Sequence, residues 1–132
     1  MGAFTENVTF KILFVDNSKT TRFAMSRILE QKGYVVESAG TGIEAIEKIK
    51  TGDYDLAIMD LYMPFMNGYE AAEQVRLLDT LSKDIPIIAL TASTDPNDID
   101  IAKTSGMNEY IIKSEDNTQL FEAIERFKKA SH

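Results

Sequence analysis

The sequence predicts an α/β fold, a doubly wound five-stranded parallel sheet with helices on both faces. Three observations carry this. Five short apolar runs alternate along the chain with five stretches of helical spacing. The runs are near-continuous in apolar residues, the pattern of strands covered on both faces. The junctions carry turn or cap chemistry, among them Gly33, Gly40, Gly52, Asn67-Gly68, Asp95-Pro96 and Gly106.

Residues 1–9 read as a loose lead-in and 10–130 as one folded unit. The first strand is Phe10-Lys11-Ile12-Leu13-Phe14-Val15, stopped by Asp16-Asn17-Ser18, with Ser18 placed to cap a helix over 20–32. Met25, Ile28 and Leu29 share one face of that helix, and Gly33 closes it. Tyr34 to Ser38 is the second strand. Thr41 and Glu44 have the spacing of a capping box, ahead of a stripe of Ile43, Ile46 and Ile49 that ends at Gly52. The third strand, 54–59, runs into Asp60. Asn67 caps the next helix with Glu70 three residues on, and Ala71, Val75 and Leu78 recur at helical spacing. Ile85 to Leu90 is the fourth strand, with Pro86 near its start, where a missing donor is tolerated. Asp95-Pro96-Asn97-Asp98 starts a helix with Ile99 and Ala102 inward. Glu109 to Ile112 is the fifth strand. Asp116, with Gln119 three on, caps a last helix that turns Leu120, Ile124 and Phe127 inward.

Composition excludes whole classes of chemistry. At 132 residues the chain is the size of one domain. A net charge of -7 argues against a nucleic-acid surface. There is no cysteine, hence no disulfide, thiolate metal site or cysteine nucleophile. The one histidine, His132, is terminal, which removes a histidine-based triad or zinc site. No signal peptide and no apolar run approaching the roughly 20 residues of a membrane span is visible, so the expected location is cytoplasmic.

In such a sheet, ligands bind beyond the carboxyl ends of the strands. Those ends carry Asp16-Asn17, Asp60, Thr91 and Lys113. Two carboxylates, an amide, a hydroxyl and an amine at one edge suit phosphoryl transfer to a carboxylate. Asp60 is then the nucleophile. Mg2+ suits a site with one or two carboxylates, waters and a phosphate oxygen. Lys113 adds a compact positive charge, and Thr91 a hydrogen-bond donor.

This set resembles the receiver domains of two-component response regulators. The resemblance spans about residues 9–130 and rests on Ile12-Leu13-Phe14-Val15-Asp16, Met59-Asp60-Leu61-Tyr62-Met63-Pro64 with Gly68, Ala89-Leu90-Thr91-Ala92, and Tyr110-Ile111-Ile112-Lys113. It implies a flavodoxin-like (βα)5 fold with strand order 2-1-3-4-5. It also implies Asp60 as phosphoacceptor and Asp16, Asn17, Asp60 and the Tyr62 backbone carbonyl around Mg2+. Thr91 and Lys113 are then the phosphoryl-binding pair, and Tyr110 is an aromatic switch beside Thr91. The implied partners are a sensor histidine kinase or histidine phosphotransfer protein upstream and a protein target downstream, with no nucleic acid and no membrane. The residues after Lys113 suffice for one helix, so the expectation is a stand-alone receiver with no effector domain. Its output face is expected on the fourth helix, fifth strand and fifth helix, around Ile99, Tyr110 and Glu122.

Two positions depart from the family pattern. Asn17 stands where a second acid is usual; it has two roles open to it, helix cap and metal ligand. A close charge pair at an effective dielectric near 20 is worth about 4 kcal/mol, so its loss weakens Mg2+ binding by on the order of 1–2 kcal/mol. Ser114 stands where proline usually follows the lysine, joined by a cis bond. That leaves Lys113-Ser114 either trans with a rearranged loop or strained. Tyr110 has two readings, half-buried packing residue and moving switch. Tyr62 reads as an exposed loop aromatic whose bulk would shield a phosphoryl group from water. The nearest rival is a degenerate receiver that binds protein without phosphate. A hydrolase would need a second acid near Asp60, and Glu70 and Asp84 are not obviously placed for it. A flavin or nucleotide site lacks a glycine-rich loop after the first strand. The expected activity is therefore signalling, at most with self-assisted phosphorylation and dephosphorylation.

Overall fold

The structure, a computed structural model, describes residues 9–130; His132 and all of the expected lead-in but Thr9 lie outside them. The elements are β1 Lys11–Val15, α1 Lys19–Gln31, β2 Val35–Ala39, α2 Gly42–Thr51, β3 Leu56–Met59, α3 Gly68–Arg76, β4 Ile87–Thr91, α4 Pro96–Thr104, β5 Glu109–Ile112 and α5 Thr118–Ala130, with a 3-10 turn at Leu81–Asp84. All strand pairs are parallel and the order is β2-β1-β3-β4-β5, the order that the resemblance implied.

The alternation of side chains along each strand builds two cores. Leu13, Val15, Ala57, Met59, Ile87 and Ala89 point to the face covered by α2, α3 and α4, where they meet Ala45, Ile49, Ala71, Val75 and Ala102. Ile12, Phe14, Ile58, Ile88, Leu90 and Ile111 point to the other face, where α1 and α5 supply Leu29, Leu120, Ala123 and Ile124. β3 and β4 are buried throughout, as continuous apolar runs demand. β2 is an edge strand and departs from that pattern, alternating exposed and partly buried residues up to the buried Ala39 at its end.

Several local expectations hold and others shift. The Ser18 hydroxyl accepts from the Thr21 N–H and caps α1. Gly33, at φ +97, closes it in the left-handed region that a side chain disfavours. The Thr41 hydroxyl accepts from the Glu44 N–H, but the Glu44 carboxylate reaches the Gly40 N–H instead of completing a box on Thr41. Ile43, expected in the apolar stripe of α2, is exposed. The buried face is Gly42, Ala45 and Ile49, with Ile46 packed against the same core, and Ile43 falls outside that arc. β4 begins at Ile87, not Ile85. The Ile85 carbonyl is taken by Arg76, and the Asn108 side chain accepts the Ile87 N–H. α5 begins at Thr118, and Asp116, two residues before it, accepts from the Thr118 N–H.

Candidate functional site

The register sets the site. Val15 pairs with Met59 on β3, so Asp16 and Asp60 stand one residue past a matched pair on neighbouring strands. Both are held there by the ladder, Asp60 N–H on the Val15 carbonyl and Asp16 N–H on the Ala39 carbonyl, each at 3.1 Å. On the other side Thr91 pairs with Ile112, and the Lys113 N–H donates to the Thr91 carbonyl at 2.8 Å. The carboxyl edge thus lines up 16, 60, 91 and 113 in strand order β1-β3-β4-β5.

Lys113 crosses that edge. Its Nζ lies 3.0 Å from Asp16 Oδ2 and 3.2 Å from Asp60 Oδ2. The two carboxylates are almost out of solvent, at 3% and 14% side-chain exposure, so their charges have little water to lean on. Burial alone would lower the Lys113 ammonium. The hydrogen bond to Asp16 and the charges of Asp60 and Asp16 outweigh it and hold Lys113 above the ordinary lysine value. The other Asp16 oxygen, Oδ1, accepts from the Ser18 N–H at 2.9 Å, which fixes the acid against the start of α1.

The loop after Asp60 folds back onto it. The chain turns through Phe65, a non-glycine residue at φ +69, with the Met66 N–H on the Pro64 carbonyl. This returns Gly68 to donate to the Leu61 carbonyl at 2.7 Å. A Cβ on Gly68 would lie 2.0 Å from the Asp60 carbonyl oxygen, so glycine is what lets α3 begin directly against the Asp60 backbone. The Glu70 carboxylate accepts from the Asn67 N–H at 2.8 Å, in the capping box that starts α3.

The sequence-predicted residues fall out as follows. Asp16, Asp60 and Lys113 are in direct contact. Thr91 is buried at the end of β4, beside Asp60's strand, and its hydroxyl accepts from the Ser93 N–H. Asn17 is exposed next to Asp16. Tyr62 is half exposed, and its hydroxyl donates to Asp98. Tyr110 is partly buried and donates to the Ser93 carbonyl at 2.8 Å. Among the described residues no peptide bond is cis, so of the two arrangements open to Lys113-Ser114 the trans one is present. The Ser114 hydroxyl donates to the Asp116 carbonyl. The Glu70 carboxylate is taken up by the Asn67 N–H, and Asp84 lies in the 3-10 turn.

Sequence reasoning missed two neighbours of the site. Arg22 Nη1 donates to the Asp16 carbonyl at 2.8 Å and lies against Gly40, which ties the β1–α1 loop to the β2–α2 turn. Asp98, read only as a first-turn acid, is buried and accepts from both Tyr62 and Ser93. Arginine at helical spacing from a strand end was the available signal for the first. The second had none, since its partners lie in other loops.

The donor set fits a hard divalent cation. Two carboxylates already converge on one positive charge, the Lys113 ammonium, and every other candidate ligand is oxygen. Among the described residues no group of three or more histidines, cysteines, aspartates or glutamates is gathered to hold a metal.

Residues 12–125 match the family model described as "Response regulator receiver domain". The chain is 35% identical over 114 residues to the CAI-1 autoinducer sensor kinase/phosphatase CqsS of Vibrio cholerae, covering 86% of this chain and 17% of that protein. It is 31% identical over 121 residues to chemotaxis protein CheY-3 of Vibrio cholerae, covering 91% of this chain and 92% of that protein. The chain thus spans less than a fifth of the sensor kinase it matches and nearly all of the chemotaxis protein. Among solved structures it is similar to the response regulator TrrA of Thermotoga maritima in complex with Mg(2+)-BeF, with a TM-score of 0.81 and 32% identity, covering 90% of this chain and 99% of that one.

Proposed function

The chain belongs to the response regulator receiver domain family, and on that premise we propose that Asp60 accepts a phosphoryl group from a histidine kinase or histidine phosphotransfer protein. The observation that carries the reading is Lys113 Nζ bridging Asp16 and Asp60 at 3.0 and 3.2 Å. An Asp60 carboxylate oxygen attacks the phosphorus of a phosphohistidine. The P–N bond breaks, its electron pair stays on the imidazole nitrogen, and an acyl phosphate is left on Asp60. Lys113 is already seated between the two acids, so it follows the negative charge as that charge moves outward onto the phosphoryl oxygens. Thr91 supplies a hydroxyl to one of those oxygens. Asp16, fixed by Ser18, keeps the ammonium from collapsing onto Asp60 alone.

Mg2+ would be held by Asp16, Asn17, Asp60 and the Tyr62 backbone carbonyl, and when bound it supplies charge neutralisation between acceptor and phosphoryl oxygens. Receiver domains act generally as signalling modules, and output here is a protein contact. Its surface is α4, β5 and α5 around Ile99, Tyr110 and Glu122, with Thr91 and Tyr110 as the switch between two packings of that face. Among the described residues no helix is long and apolar enough to cross a membrane. Cytoplasmic location belongs to this proposal.

A second reading has specific support. Asn17 in place of an acid and Ser114 in place of proline both suit a degenerate receiver that binds its partner without phosphate. Incubation with acetyl phosphate and Mg2+, read by intact mass, separates the two. The first reading requires a single phosphate adduct that disappears in Asp60→Ala. An unmodified parent chain supports the second.

A further inference from the structure

One buried carboxylate near the site has no task in phosphoryl transfer. Asp98 lies in the first turn of α4, is 7% exposed, and accepts from the Tyr62 and Ser93 hydroxyls. Neither donor is on α4. Tyr62 follows Asp60 by two residues, and Ser93 follows Thr91 by two. The Ser93 carbonyl in turn accepts from Tyr110 on β5. Capping does not account for this burial, because Asp95 already caps α4 through the Asn97 N–H at 2.9 Å. A single acid therefore joins the two loops that leave the strands ending at Asp60 and Thr91 to one helix. Tyr62 is 49% exposed, and two contacts hold its ring: the hydroxyl on Asp98 and an edge contact with Tyr69 at 6.5 Å between centroids.

We propose that Asp98 is a positioning residue that pins Tyr62 beside Asp60, where the ring shields an aspartyl phosphate from water, so that the seat of α4 sets the phosphoryl lifetime. This rests on the reading of Asp60 as phosphoacceptor. In the loss reaction a water oxygen attacks phosphorus and the bond from phosphorus to the Asp60 oxygen breaks. The electron pair stays on the carboxylate, and inorganic phosphate leaves with the water's oxygen. A ring held next to the acceptor takes space that the water would otherwise fill. A released ring does not. Because Asp98 belongs to α4, whatever draws α4 away also frees Tyr62, and the coupling runs both ways.

The test follows phosphate decay from the full chain by intact mass, after loading with acetyl phosphate and Mg2+ and removing the donor. Asp98→Ala and Tyr62→Ala should each lose phosphate roughly 3- to 10-fold faster than the parent, and the double variant no faster than Tyr62→Ala alone, because the acid acts through the ring. Asp98→Asn keeps an acceptor for the Tyr62 hydroxyl and should decay within about twofold of the parent. Tyr62→Phe removes the same bond without touching α4. It should behave as Asp98→Ala does, and it keeps the test decisive should Asp98→Ala not fold. Decay of Tyr62→Phe and Asp98→Ala at the parent's rate, or effects that multiply in the double variant, overturns the positioning role alone. A parent that takes up no phosphate overturns it together with the function it rests on.

Discussion

Replacing Gly68 with alanine tests how α3 is seated against Asp60. The added Cβ would stand 2.0 Å from the Asp60 carbonyl oxygen, 3.0 Å from its carbon and 3.2 Å from the Leu61 Cα. A carbon meets a carbonyl oxygen comfortably at about 3.3 Å, so the two backbone segments must part by on the order of 1 Å. No flexible side chain is present to yield. Overpacking of this kind costs about 1–3 kcal/mol. The Gly68 N–H bond to Leu61 at 2.7 Å is stretched or lost, a further 0.5–1.5 kcal/mol or so. Alanine returns up to about 1 kcal/mol as a better helix former. The net is a destabilisation of about 2–3 kcal/mol, which for a chain of this length is a fall in Tm of roughly 7–11 °C. If Asp60 takes the phosphoryl group as proposed, a shift of this size should also slow phosphate uptake by around 100-fold. Thermal unfolding by circular dichroism and uptake from acetyl phosphate read the two effects. A variant that melts within about 2 °C of the parent and takes up phosphate at the parental rate refutes the argument that this contact positions Asp60.

Three further outcomes follow from particular side chains. Asn17→Asp should tighten Mg2+ binding by roughly 5- to 30-fold, the equivalent of restoring about 1–2 kcal/mol of charge interaction, read by calorimetric titration at fixed ionic strength. Arg76 donates to the carbonyls of Gly106, Lys83 and Ile85 and to Asn108 Oδ1. Arg76→Met should therefore lower stability by about 2–4 kcal/mol, seen as a lower urea midpoint with an unchanged slope. The Glu37 carboxylate accepts from the Tyr54 hydroxyl at 2.7 Å and pairs with Lys11 at 3.2 Å, and these partners hold its pKa below the ordinary glutamate value. A depressed folded-state value means that its stabilising effect is present above the ordinary glutamate pKa and is lost as pH falls through the folded one. In an NMR titration Tyr54→Phe should move the Glu37 midpoint upward, and an unmoved midpoint counts against the hydrogen bond as the cause.

What the sequence made legible was local in origin or repeated. Strand runs, helical spacing and stop residues are written in short windows, so the five βα units emerge from them. The site was legible for a related reason. In a parallel sheet each strand end is fixed by the run before it, so Asp16, Asp60, Thr91 and Lys113 share an edge once the strands are found. The misses all depend on distance in sequence. Ile43 belongs to a helical pattern but lies on the open side of α2, because Met66 and the core pack against the Gly42, Ala45 and Ile49 side. Arg76 looks like a charge at a helix end until the Gly106 and Ile85 carbonyls, 30 and 9 residues away, are seen around it. Asp98 looks like an acid suited to a helix dipole, and nothing in its window points to a tyrosine 36 residues earlier. β2 reads as a strand but not as an edge, since strand order is a property of the whole sheet.

On the proposed function one carboxylate, Asp60, takes the phosphoryl group at the strand edge it shares with Asp16 and Lys113. Borohydride reduction settles which residue it is, because hydride converts an acyl phosphate to an alcohol and leaves homoserine in place of aspartate. After loading with acetyl phosphate and Mg2+, reduction and digestion, homoserine should appear at position 60 and nowhere else, and only when the donor was present. Homoserine at Asp16 or another acid, or none under conditions that load phosphate onto the chain, would contradict the account.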